Sequence, residues 1–280
     1  MFSKLLRHEW RASANLLSVL SLAAIGAGLL GGLLLRAVLH IRDIIKDEEL
    51  ATLGTAGIVM VLAFLFLGLL AYVIAVEFIT LFRFYKNKFT DEGYLTFTLP
   101  VKTNQIFWSS FIHILAWALI SVLVFLVSCC LILMIGAGEY IGQSSAEIME
   151  FFGFYQDTMI IYPGYEWYQA LTTVQTMLSP VIGIILTMTC ITIGSVLVKR
   201  NKLLLAIGIE YGVSMVLSVI SSILSLVPSI LLLSSTENYE QNIYSYMNIT
   251  VCINIGVQLL AAVLAYFLAI KLMKRKLNLP

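Results

Sequence analysis

Charge is the scarcest property of this 280-residue chain: 12% of its residues are Asp, Glu, Lys or Arg, about half the share usual in a soluble domain. That excludes a water-soluble enzyme. No GxxxxGKS/T phosphate loop occurs, so the chain has no nucleotide site of that kind. Ala12 stands where HExxH would need its second histidine after His8-Glu9, and the three histidines, His8, His40 and His113, are scattered. No GxSxG elbow and no paired catalytic carboxylates are found. The four cysteines, Cys129, Cys130, Cys190 and Cys252, fall inside apolar runs without zinc-type spacing and read as small buried residues. The expectation is a chain that is not an enzyme, with no metal and no cofactor of its own. Its net charge of +1 gives no basis for a nucleic-acid partner.

What the chain has in abundance is long apolar sequence, 60% hydrophobic overall. Runs long enough to cross about 30 Å of hydrocarbon recur, near 14–35, 52–78, 110–134, 171–198, 203–233 and 247–270. The fold class predicted is an all-α membrane protein with six transmembrane helices, forming one six-span domain over 1–280. Residues 1–12 place Phe2, Leu5, Leu6 and Trp10 on one helical face, with Lys4, Arg7, His8 and Arg11 elsewhere. That pattern predicts an interfacial amphipathic helix. The apolar run that follows has the length of a span rather than of a secretory signal.

Sign segregation orients the spans. The N-terminus, residues 83–105, the 199–202 turn and the C-terminus hold 14 of the 17 Lys and Arg. The other three loops hold 11 of the 16 acids. Alternation through six spans then predicts that both termini are cytosolic. Residues 138–169 form the long outer excursion, with five acids, no Lys or Arg, and an aromatic group of Tyr162, Tyr165, Trp167 and Tyr168. An interfacial belt accounts for these; an outer gate or docking surface is the alternative. An amphipathic helix is expected over 145–155.

The most informative cytosolic stretch is RFYKNKFTDEGYLTFTLPVKTNQIFW, residues 83–108. A basic amphipathic piece with Arg83, Lys86 and Lys88 runs into Asp91-Glu92-Gly93. A short apolar run from Tyr94 then stops at Pro100, which disfavours helix before it. Thr103 and Asn104 suit the start of the next helix. A tight turn at Gly93 is expected to use positive φ.

DEGYLTFTLPVKTNQI resembles the first cytosolic loop of a group of bacterial type-2 ATP-binding-cassette (ABC) transporter permeases. Met1-Phe2-Ser3-Lys4 with His8-Glu9, and Lys276-Leu277-Asn278-Leu279, extend the resemblance loosely over the whole chain. It implies a bacterial plasma-membrane exporter subunit that pairs with a second permease copy or homologue. Two separate ATPase subunits would carry ATP and magnesium. It also implies a short helix in this loop that meets the ATPase, which places Arg83, Lys86, Asp91, Glu92, Gly93 and Tyr94 at the coupling contact. The large outer excursion lies between spans three and four here, whereas the better-known lipid exporters of this class carry theirs between five and six.

Within the spans, Ala24, Gly28 and Gly32 form a small-xxx-small face. Thr172, Thr176, Ser179, Gly183, Thr187, Cys190 and Gly194 form a weakly polar stripe on span four. Glu210, Ser214, Ser218, Ser221 and Ser225 share a face of span five, and span six carries Asn254 and Gln258. Glu77 and Glu210 are the ionisable residues inside apolar spans, where insertion costs about 2.5–3.5 kcal/mol at mid-bilayer. Glu77 can snorkel to the interface or face a pathway. Glu210, which is deeper, is expected to face protein or a pathway, with Ser214, Ser218 and Ser221 beside it. An ion-coupled secondary transporter using Glu77 and Glu210, or a non-transporting scaffold, are the competing readings.

Overall fold

In a computed structural model, each apolar run lies within an α-helix. The structure describes residues 2–44, 48–90, 93, 101–141, 164–198, 201–234 and 239–275. Among these are six long helices and no strand: α1 (Phe2–Ile44), α2 (Glu48–Phe89), α3 (Thr103–Ile141), α4 (Tyr165–Leu197), α5 (Lys202–Ser234) and α6 (Tyr239–Arg275). All six are long and apolar enough to cross a membrane. The chain is a multi-pass membrane protein.

The helices overrun the apolar segments at their polar ends. The amphipathic N-terminal residues are the first turns of α1, continuous with the first span in one 43-residue helix. The basic half of the 83–105 stretch is likewise the end of α2, with Lys86 and Lys88 in its last turn. Cations there oppose the negative end of the helix dipole, so the helix continues past the apolar run. Residues 142–163, with the helix expected at 145–155, lie outside the described residues.

The chain divides into two compact units, Met1–Phe82 with Ile112–Met149 and Arg83–Phe111 with Glu150–Pro280. In the first, Leu17, Ala24, Leu69, Tyr72, Val76 and Trp117 belong to one buried core. Lipid is as apolar as leucine, so close packing and hydrogen bonds hold such helices together. The small face of α1 supplies the close packing. A Cβ on Gly28 would lie 2.9 Å from the Cα of Ser128 on α3. At that approach Ser128 Oγ donates to the backbone oxygen of Ala24 at 3.2 Å. Ser21 Oγ and Tyr72 Oη share a hydrogen bond of 2.9 Å between α1 and α2. Trp10 stacks on Trp117 with ring centroids 5.1 Å apart.

In the second unit α4 packs on both α5 and α6, which also pack on each other. Thr189 Oγ1 donates to the backbone oxygen of Ala265 at 3.2 Å, joining α4 to α6. Gly194 lets α5 approach α4, since a Cβ there would meet the Lys202 carbonyl oxygen at 2.8 Å. The α4–α5 turn contains Asn201 at φ 60°, a left-handed conformation that asparagine tolerates better than most residues. Near the other end of α4, Asn248 Nδ2 donates to the carbonyl of Gly164 at 3.1 Å. Trp108, in the first turns of α3, donates from Nε1 to Tyr266 Oη at 3.3 Å.

Candidate functional site

The polar stripes of α4, α5 and α6 meet in an open cleft of about 490 Å³. Helix α5 contributes Ser214, Ser218, Ser221, Ser222 and Ser225; α4 contributes Gln175, Ser179 and Gly183; α6 contributes Asn254 and Gln258. Ile182, Leu186 and Leu217 interleave them, and among the described residues no charged side chain lines the cleft. The serine spacing explains why α5 presents so many hydroxyls on one face: residues three and four apart stack along a helix. Ser222 and Ser225 donate to the carbonyls of Ser218 and Ser222, each at 2.8 Å. The hydroxyls of Ser214, Ser218 and Ser221 have no hydrogen-bond partner among the described residues, and neither do the half-buried amides of Gln175, Asn254 and Gln258. An amide unpaired in hydrocarbon costs about 4–8 kcal/mol by water-to-cyclohexane transfer. Lipid tails are therefore a poor filling for this cleft.

Glu210 sits one turn from Ser214 on the same helix, toward the Lys202 end. It is half-buried and accepts a hydrogen bond from Thr187 Oγ1 of α4. The carboxylate is thus engaged with protein at one end of the cleft but does not line it.

Arg83 and Lys86 lie in the last turns of α2, Arg83 half-buried and Lys86 exposed. Phe84 and Phe89 are buried and pack edge to face, with centroids 5.6 Å apart. Beyond them Thr90 Oγ1 donates to the carbonyl of Lys86 at 2.5 Å, and Gly93 N–H donates to the carbonyl of Thr90 at 2.8 Å. The positive φ expected at Gly93 is not adopted; among the described residues Gly164 is the one glycine with it. Close approach requires the glycine instead, because a Cβ would stand 2.5 Å from the Lys88 carbonyl oxygen. Asp91, Glu92 and Tyr94 lie outside the described residues.

Lys202 links this segment to the cleft helix. Its Nζ donates to the carbonyl of Phe89 at 3.0 Å. The last carbonyls of a helix have no partner within it, and a cation there also meets the negative end of the dipole. The end of α2 is therefore capped by the first residue of α5, the helix that carries Glu210 and the serines.

The structure brings Ser214, Ser218 and Ser221 together at the cleft, with Glu210 next to it. Glu77 belongs to the first unit; its side chain is exposed, and its carbonyl accepts from Thr80 Oγ1 at 2.8 Å. Sequence reasoning grouped neither Gln175 nor Ser222 with the polar faces, and it gave Lys202 no partner. Comparison with protein-family models, curated proteins and solved structures returns no match.

Proposed function

We propose that this chain is the membrane-spanning permease subunit of a bacterial type-2 ABC transporter in the plasma membrane. It exports a peptide, drug or lipid-like cargo, using ATP hydrolysed with magnesium on separate ATPase subunits. It pairs with a second permease, a copy or a homologue. Both termini face the cytosol, and nucleic acid has no part.

The observation that carries the reading is the Lys202–Phe89 hydrogen bond. An ATPase that moves on binding and hydrolysing ATP needs a stiff protrusion to push. The end of α2 is a stiff helix terminus that can take such a push, and its capping contact leads directly to α5. A shift of this segment pulls on the first turn of the helix whose serines face the cleft. Arg83, Lys86, Asp91, Glu92, Gly93 and Tyr94 are the residues this reading assigns to the ATPase contact, with Gly93 close against Lys88. One exposed ion pair contributes only about 0–1 kcal/mol, so geometry of the turn matters more than any single charge.

The test has two steps. Tagged permease purified from its own membrane should carry an ATPase subunit with it. In vesicles holding both subunits, Gly93→Val should leave the permease inserted while separating ATP hydrolysis from cargo movement. Gly138→Val is the control, since a Cβ at Gly138 meets nothing within 4 Å. Purification without an ATPase sinks the reading. Equal losses in both variants, or none at Gly93, remove the coupling role from this segment.

A further inference from the structure

We infer that the α4–α5–α6 cleft binds an extended, uncharged chain of small residues that donates and accepts hydrogen bonds along its length, that is, a neutral peptide segment. This rests on the permease reading and supplies the class of cargo for it. The serines from Ser214 to Ser225 cover about 16 Å of helix axis. The cleft of about 490 Å³ follows that row and is open on one side. An α-helix has its backbone N–H and C=O groups paired internally and would leave the polar lining unmatched. An extended chain has these groups free, and about five residues of it span the serine row.

The lining selects among extended molecules. The amides of Gln175, Asn254 and Gln258 and the hydroxyls of Ser214, Ser218 and Ser221 are each both donor and acceptor, and none has a partner among the described residues. A peptide backbone, with its alternating N–H and C=O groups, satisfies both roles; an acyl chain satisfies neither. A polyol is hydroxylated on every side and would set hydroxyls against Ile182, Leu186 and Leu217, where methyl side chains of a peptide fit. Among the described residues no Lys, Arg or His lines the cleft, and Glu210 stands beside it, so a carboxylate-bearing chain would be desolvated without a counter-charge there.

The experiment uses full-length Ser218→Cys permease in nanodiscs, without ATPase. Its labelling by a small thiol reagent is followed by mass spectrometry, with the labelling of wild-type permease as the reference. The probes are a terminally capped hexapeptide of alanine, serine and glutamine, the same peptide with two aspartates, a linear maltodextrin, and palmitate. The expected result is at least threefold slower labelling at position 218 with the neutral peptide alone, the reference unchanged. Replacing Asn254 and Gln258 by leucine should abolish that protection. Equilibrium binding of radiolabelled neutral peptide to unmodified permease repeats the test without the cysteine. Protection by the aspartate peptide, maltodextrin or palmitate overturns the class assignment. So does the absence of peptide binding, or a position 218 thiol that cross-links to a second copy and never labels. Because no ATPase is present, failure here leaves the permease reading standing, and failure to recover an ATPase leaves the binding result standing.

Discussion

Ser13 Oγ lies 2.7 Å from Nε2 of His113, a hydrogen bond between α1 and α3 with both residues more than nine-tenths buried. Ser13 also donates to the backbone oxygen of Trp10 at 3.2 Å. The contact joins the two helices whichever of the two atoms carries the shared proton.

Ser13→Ala should leave the buried ring nitrogen without this hydrogen bond, at a cost of about 1–3 kcal/mol. Adding His113→Leu to Ser13→Ala should cost less than His113→Leu costs alone, because the bond to Ser13 is already gone. Thermal unfolding of the two singles and the double in one detergent checks this. A double variant that loses the sum of both singles rejects the pairing.

Glycine positions should separate packing from pathway. Gly28→Ala places a methyl 2.9 Å from the Ser128 backbone; α1 and α3 must part, and the Ser128–Ala24 bond with them. Overpacking of this kind costs about 1–3 kcal/mol. Gly183→Ala meets nothing within 4 Å and lines the cleft, so it should keep the melting temperature while slowing cargo movement. Equal melting temperatures in the two variants would contradict the α1–α3 contact.

Glu210 and Thr187 form a donor–acceptor pair across α4 and α5. Glu210→Gln keeps an oxygen for the threonine hydroxyl and should fold normally, with altered transport. Glu210→Leu and Thr187→Val each remove the bond and should lower transport more than the glutamine variant does. Unchanged cargo flux in Glu210→Leu rules out a role for this pair.

Lys202→Met retains the apolar stem and deletes the bond to Phe89. In vesicles with the ATPase, hydrolysis should persist while cargo moved per ATP falls severalfold. Lys202→Arg should recover much of it, since a guanidinium can reach the same carbonyl. Methionine and wild type moving the same cargo per ATP would show that the force takes another route.

The six helices were legible because a run of about 20 apolar residues has few alternatives in lipid. The cleft serines were legible for a related reason: spacing of three or four puts Ser214, Ser218, Ser221 and Ser225 on one face whatever that face meets. Periodicity names a face but not its neighbour. Gln175 and Ser222 join the cleft only through the way α4 and α5 are rotated against each other, and Ser128 emerges as the partner of Gly28 only in three dimensions. Gly93 shows a different limit: the need for glycine was visible, while its cause, contact with the Lys88 carbonyl rather than positive φ, depends on how the chain folds back.

The Lys202 cap also sets an order of events during synthesis. Its acceptor, Phe89, is made 113 residues before it, an interval of about 6–23 s at ordinary translation rates. Until α5 emerges, the C-terminal carbonyls of α2 must find other partners. A soluble subunit recruited to this end during translation would meet it before Lys202 arrives, whereas one recruited afterwards would meet the finished cap.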